Sequence, residues 1–183
     1  MRTVTFGMNI TLDGYCDHTI GNPDEELYKY FTSMMDDVDL IFFGRVMYEL
    51  MFPYWSDVAD KQSGTTEENR FAERISAIDR VVISRSLKSL MDNTRIVNNN
   101  PAEELQKLKQ QPGKKISVDS LSMLPELVAA GLIDEFYLVV HPVLAGKGRR
   151  LLDIPNFQEH LNLKLINSEV FQSGCVALHY LKQ

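Results

Sequence analysis

The sequence is short of the residues that would commit it to several familiar designs. It has two cysteines, Cys16 and Cys175, far apart and forming no CxxC pair, and its first residues, MRTVTFGMNI, contain no uninterrupted apolar stretch of the kind a secretory signal carries. Two reduced thiols in a cytoplasmic protein are therefore expected rather than a disulfide framework. No run approaches the roughly 18 consecutive apolar residues that cross a bilayer, so no membrane partner is expected. The four histidines are scattered, with no HxH, HExxH or Cys/His cluster, and the expectation for metal is none. Formal net charge is −6 with no long basic run, which gives a nucleic-acid-binding surface no support. Only 10 glycines and 7 prolines in 183 residues, beside 44% hydrophobic residues, exclude a disordered chain, and the length suits one domain over residues 1–183. The GxGxxG, GxxxxGK and GxSxG fingerprints are all absent.

What is present is organised around Val38–Glu49, VDLIFFGRVMYE. Five of the six residues from Val38 to Phe43 are apolar, which predicts a central strand buried on both faces. It stops at Gly44-Arg45. In an α/β protein ligands bind beyond the carboxyl ends of such strands, so Arg45 emerges either where an anion would sit or simply into solvent. A compact strand at Arg80–Ile83 hands over in the same way to Ser84-Arg85-Ser86, two hydroxyls around a guanidinium, a set suited to phosphate.

Around these two strands the chain reads as alternating elements. Val4, Phe6, Met8 and Ile10 predict a first strand with those residues on one face, followed by a turn at Thr11–Gly14, where Asp13 either caps its own turn or contacts a ligand. Asn22-Pro23-Asp24-Glu25 predicts a helix start with Asn22 as cap. Gly44–Met51 predicts a short helix ended by Phe52-Pro53, and Ser56–Thr66 an exposed loop of a length that suits a flap, with Trp55 as its aromatic entrance or as an anchor to the core. Thr66 is expected to cap a helix carrying Phe71, Ile75 and Ile78. Thr94–Val97 predicts a strand, Asn100-Pro101-Ala102-Glu103 a helix start, and Ile116–Val118 a strand leading through Asp119–Ser122 into a helix stopped by Gly131. A helix opening after a strand offers amides to a pyrophosphate, whereas the Asp119 carboxylate at that mouth opposes one. Phe136–Val140 predicts a further strand, with His141 before Pro142 as a candidate proton donor, and Leu161–Phe171 and Cys175–Leu181 an antiparallel hairpin at one edge. The fold class expected is α/β: a mixed, mostly parallel sheet flanked by helices and finished by a C-terminal antiparallel hairpin.

Five motifs fall in order along nearly the whole chain: TLDG at Thr11–Gly14, FGRxxYE at Phe43–Glu49, VVISR at Val81–Arg85, GLIDE at Gly131–Glu135, and PVLAGKG at Pro142–Gly148 followed by Arg150-Leu151-Leu152. In these the chain resembles the dihydrofolate-reductase-like superfamily, and most closely the reductase domain of the bifunctional deaminase-reductase of riboflavin biosynthesis. The resemblance implies an NADPH-dependent reductase of a pterin or ribosylaminopyrimidine, working as a homodimer. It implies that Gly44 and Arg45 approach the cofactor phosphates and that Ser84 and Arg85 hold the 2′-phosphate. It further implies that Asp119, Ser120, Leu121 and Ser122 wrap the pyrophosphate, that Thr11 and Asp13 line the nicotinamide or substrate side, and that Gly146 joins the cofactor-binding set. Asp13 is the implied acidic partner of the substrate. Two departures stand out: Met47 where the family usually has threonine, and Ser120 and Ser122 where it usually has glycines. Asp119, Ser120 and Met47 motivate a second reading, a non-catalytic nucleotide- or small-molecule-binding protein that keeps the fold.

Overall fold

Short β-rich runs become the strands, and whether one or both faces are apolar decides where each strand lies. The computed structural model describes residues 1–16, 19, 21, 23–87, 91–152 and 160–183. Its central strand, β3 (Val38–Gly44), is buried on both sides as its composition requires: Leu40 and Phe42 point into one core, Ile41 and Phe43 into the other. A register irregularity between Val38 and Leu40 turns Val38 to the same side as Ile41. To one side lie β4 (Asp79–Ile83) and β5 (Thr94–Val97), and to the other β6 (Lys115–Asp119), β1 (Val4–Thr11) and β7 (Glu135–His141). All of these run parallel. The sheet is completed by β10 (Val176–Lys182) and β9 (Leu163–Val170), both added antiparallel, giving the order β5-β4-β3-β6-β1-β7-β10-β9. A separate two-stranded ribbon joins β2 (Tyr15–Cys16) to β8 (Arg149–Arg150). The mixed sheet, flanking helices and terminal hairpin are the architecture read from the sequence.

Helices cover both faces. α4 (Pro101–Gln110) and α5 (Leu124–Ala129) place Leu105, Leu108, Leu124 and Leu127 against Val4, Phe6, Phe42 and Val118. On the opposite face α2 (Arg45–Lys61) and α3 (Thr66–Ala77) pack Tyr48, Phe52, Phe71 and Ile75 on Ile41, Phe43 and Val82. There α1 (Glu25–Met34) lays Leu27 beside Val139, Phe171 and Ala177. Among the described residues no helix is long and apolar enough to cross a membrane.

Three boundaries differ from those read in the sequence. α1 is capped by Asp24, whose carboxylate accepts from the Leu27 amide at 2.9 Å; Asn22 lies outside the described residues. α3 is capped by Thr65 rather than Thr66, because Thr65 forms a reciprocal capping box with Glu68. The largest difference is α2, which does not end at Phe52-Pro53 but carries Pro53 inside it and continues to Lys61. Pro53 sits on the exposed side, while the residues around it are held by aromatic packing: Phe52 stacks on Tyr48 at 5.5 Å, and Trp55 stands edge-on to Phe71 at 4.9 Å and to Tyr28 at 5.8 Å. That burial outweighs the backbone bond the proline forfeits. Most of the expected flap at Ser56–Thr66 is therefore helix, and Trp55 is an anchor.

α3 ends against a buried cation. Arg80, 3% exposed, donates to the carbonyls of Ile75, Ser76, Ile78 and Asp92, and its guanidinium lies 3.8 Å from the centre of the Phe52 ring. It satisfies carbonyls that the helix end leaves without partners and clamps α3, β4 and the middle of α2 together. Arg80→Met should therefore cost about 3 kcal/mol, since burial is kept but the carbonyls lose their donor. Urea unfolding checks this, and a loss below about 1 kcal/mol would show that water replaces the guanidinium.

Candidate functional site

Strand register brings the ends of three strands to one level: Gly44 pairs with Ile83 and Phe43 with Asp119, so Ser84, Gly44-Arg45 and Asp119-Ser120 emerge along one rim of the sheet. Phe6 pairs with Val118, so β1 and its partner β7 run on past that level, and the paired Thr11 and His141 stand beyond the rim on its β1 side. At the β4 end of that rim is a cavity of about 600 Å³ lined by Ser84, Arg85, Arg45, Asn98–Pro101 and Glu126, among others. The two arginines singled out in the sequence thus face one space. Arg45 donates to Glu49 at 2.7 Å, one turn along α2. Arg85 is exposed and has no polar partner among the described residues. The Ser84 hydroxyl accepts from the amides of Ser86 and Leu87 at 3.2 and 3.0 Å, fixing the turn that presents Arg85. The N-terminus of α4 borders the same space, with Asn100 as its cap, and adds the positive end of a helix dipole. Glu126 of α5 accepts from Asn100 at 2.7 Å. The Asn98–Pro101 wall and Glu126 were not identified as site residues from sequence; the Asn-Asn-Asn-Pro run after a strand was the available signal for the first, and Glu126 offered none.

The turn after β6 is closed by its own side chains. Ser120, 1% exposed, sits 3.1 Å from the Ser122 hydroxyl and accepts from the Met123 amide at 3.4 Å. A Cβ on Gly44 would come within 2.4 Å of the Ser120 oxygen, so β3 and the β6 turn approach this closely because residue 44 is glycine. Leu121 packs on the core under α4 and α5. Asp119 is half-buried, its carboxyl makes no hydrogen bond with a described residue, and burial pushes that carboxyl up to about 7.

Asp13 has the opposite environment. Its carboxylate accepts from the Thr11 hydroxyl at 2.5 Å, the Ala145 amide at 3.0 Å and the Gly146 amide at 2.7 Å, and these three donors hold its pKa down at about 2. Thr11 in turn accepts from the Tyr15 amide at 3.0 Å. Asp13 thus ties the turn after β1 to the loop that follows β7, and the Gly146 amide is spent on it. Leu12, Val143 and Leu144 remain exposed beside this tie and form an apolar lip at the β1 end of the rim. His141 is buried, with its ring nitrogens against Asn9 Oδ1 at 3.1 Å and Cys175 Sγ at 3.4 Å, and burial lowers its pKa, so the imidazole is a neutral core group.

Parallel strands ending in this rim, flanked by helices on both faces and finished by an antiparallel hairpin, define a dihydrofolate-reductase-like domain. The family model of the RibD C-terminal domain matches residues 2–177, and the chain belongs to that family. It is 29% identical over 184 residues to the uncharacterized protein YyaP of Bacillus subtilis strain 168, covering 98% of this chain and 94% of that one. Among solved structures, a putative riboflavin biosynthesis protein from Shewanella sp. PV-4 superposes with a TM-score of 0.74 at 18% identity, covering 100% of this chain and 99% of the other. Dihydrofolate reductase from Enterococcus faecalis, solved with NADP(H), superposes with a TM-score of 0.63 at 9% identity, covering 99% and 96%.

Because its folded pKa is depressed from 3.8 to about 2, Asp13 contributes stability that is present above about pH 4 and is lost as pH falls through 2. Asp13→Asn should therefore be less stable than the parent at neutral pH, with the gap narrowing as both are acidified, and amide exchange at Ala145 and Gly146 should quicken. Acid titration followed by circular dichroism, with hydrogen exchange, reads both; unchanged protection of the two amides would mean that the carboxylate is not their tether.

Proposed function

We propose that the protein is an NADPH-dependent reductase of a small planar heterocycle of the pterin or ribosylaminopyrimidine kind. The observation that carries this reading is the shared cavity: Arg45 and Arg85 converge on one space beside the N-terminus of α4, and Arg85 has no competing partner among the described residues. A planar guanidinium on a hydroxyl-fixed turn suits the two forward oxygens of a 2′-phosphate, which favours NADPH over NADH. Glu126 and Asn100, on the opposite wall, supply acceptor and donor edges for the ribose and adenine. Membership of the RibD C-terminal domain family and the structural likeness to a dihydrofolate reductase solved with NADP(H) agree with this reading.

From the cavity the rim leads past Gly44 and the Asp119–Ser122 turn to Thr11 and the apolar lip of Leu12, Val143 and Leu144. The residues fit a dinucleotide laid along this rim: the phosphate-seeking cations lie at one end, the small residue 44 and two serine hydroxyls in the middle, and apolar surface for flat rings at the other. When bound, the cofactor supplies a hydride to the heterocycle. The protein's share is orientation, with Thr11 positioned by Asp13 and the 142–148 loop held against the turn after β1 by the same carboxylate. Asp13 serves this reading as the group that sets the substrate wall. The working unit is a homodimer, as the family resemblance implies.

A second reading, a nucleotide-binding protein without efficient turnover, draws on Asp119 and Ser120, which place a carboxyl and a bulkier side chain where a dinucleotide must pass. Calorimetric titration with NADPH and NADH separates the cases. NADPH should bind more tightly than NADH, and Arg85→Ala should weaken NADPH by about 10- to 100-fold while leaving NADH nearly unchanged, the worth of one charge-assisted bidentate contact. No binding of either nucleotide up to millimolar concentration would overturn the proposal. Tight binding without NADPH oxidation across a panel of pterins and pyrimidines would favour the second reading.

A further inference from the structure

The half of the sheet that holds β1, β7, β10 and β9 is covered differently on its two faces. On the α1 side, β10 sends Ala177 into the core beside Leu27, and β9 shows Lys164, Asn167 and Glu169. On the other side, rows of paired side chains cross the four strands. Phe6, Phe136 and Tyr180, in line with Leu165, belong to the core under α4 and α5. Towards the carboxyl ends of β1 and β7 that cover stops. The next row is Met8, Leu138, Leu178 and Ser168, and the last is Ile10, Val140, Val176 and Val170. Leu138, Leu178, Ile10, Val140 and Val176 are partly exposed, Val170 is 75% exposed, and none of these six packs into a hydrophobic core of the described residues.

A bulge keeps this open face apolar. The pairing of β9 with β10 shifts between His179 and Tyr180, where Ile166 is the extra residue of β9. Strict alternation from Leu165 would bring Asn167 and Glu169 onto the open face. The extra residue instead delivers Ser168 and Val170 there and turns Asn167 and Glu169 to the α1 side. We propose that the open face is covered by the same face of a second copy of this chain, the two sheets packing about 10 Å apart across a two-fold axis. This gives a surface to the homodimer proposed above and rests on that assembly, independently of the cofactor and substrate.

An interface on a two-fold axis must be complementary to itself, and this face meets that condition. The last two rows contain no charged side chain, so two copies of net charge −6 can meet here without like charges opposed. A strongly charged partner would find no counter-charge on it. With Leu165 and Ile166, 49% and 46% exposed, the uncovered side chains offer several hundred Å² of apolar surface. That exceeds the scatter of single residues on a monomer and approaches the roughly 800 Å² that each partner gives to a stable dimer.

Sedimentation velocity on the full chain between about 1 and 100 μM tests this, with the wild type expected at twice the 20.9 kDa of one chain. Leu178→Lys places a cation in the middle of the face and Val170→Lys one on its exposed end. Each should weaken the dimer by about 100-fold or more, since the two-fold buries the unpaired charge twice. Asn167→Lys, with the same change of charge on the other side of β9, should leave the dimer intact. Should Leu178→Lys fail to fold, Val170→Lys decides alone. A dimer that neither variant weakens overturns the inference and leaves the homodimer standing on another surface. A wild type that stays at 20.9 kDa up to 100 μM overturns both the inference and the homodimer, while NADPH binding stands or falls by its own titration. A dimer dispersed by Val170→Lys in a protein that binds no NADPH supports the inference and overturns the reductase reading.

Discussion

The missing side chain of residue 44 is the constraint on which the site depends. β3 feeds both large cores from its two faces, and its end lies between the cation-bearing turn after β4 and the serine-bearing turn after β6. A Cβ there would collide with Ser120 and force β3 and the β6 turn apart, carrying Arg45 with them at the start of α2. The register of β3 with both neighbours, and hence the convergence of Arg45 and Arg85, rests on that contact. Space that a smaller residue at 120 would leave open is here filled by the Ser120 side chain.

Two carboxyls at the same rim show how environment assigns different work to one functional group. Asp13 is surrounded by donors and is held ionised far into acid; its negative charge is spent on joining two loops. The Asp119 carboxyl accepts no hydrogen bond from a described residue, and burial pushes it up to about 7. The net charge of −6 makes the local cations matter more, since a polyanionic ligand approaches an overall acidic protein, and among the described residues no carboxylate is bound to Arg85.

Much of the architecture was legible in the sequence because it depends on local pattern. The apolar run at Val38–Phe43, the β-branched Val81–Ile83 and the cap-proline start at Asn100-Pro101 all became the elements their chemistry specifies. The continuation of α2 through Pro53 was not legible, because it is decided by side chains from distant segments, Tyr28 and Phe71 against Trp55 and the Arg80 guanidinium over Phe52, and not by the residues beside the proline. Within the site, the arginines could be found as cations following strands. That Asp13 is consumed by Ala145 and Gly146, 132 and 133 residues away, could not be found from its own neighbourhood, nor could Glu126 as part of the cavity wall. Contacts between residues far apart in the chain separate the two classes.

The order of the last three strands has a consequence for how the molecule is made. β9 is synthesised before β10 yet reaches the sheet only through it, since β10 is bonded to β7 on one side and to β9 on the other. On a ribosome, β9 therefore waits without a hydrogen-bonding neighbour until its successor has emerged, and β7 offers an open flank for the same interval. Leu165, Ile166 and Val170 are exposed even in the finished fold, so this interval is when an emerging chain is most open to pairing with a stranger.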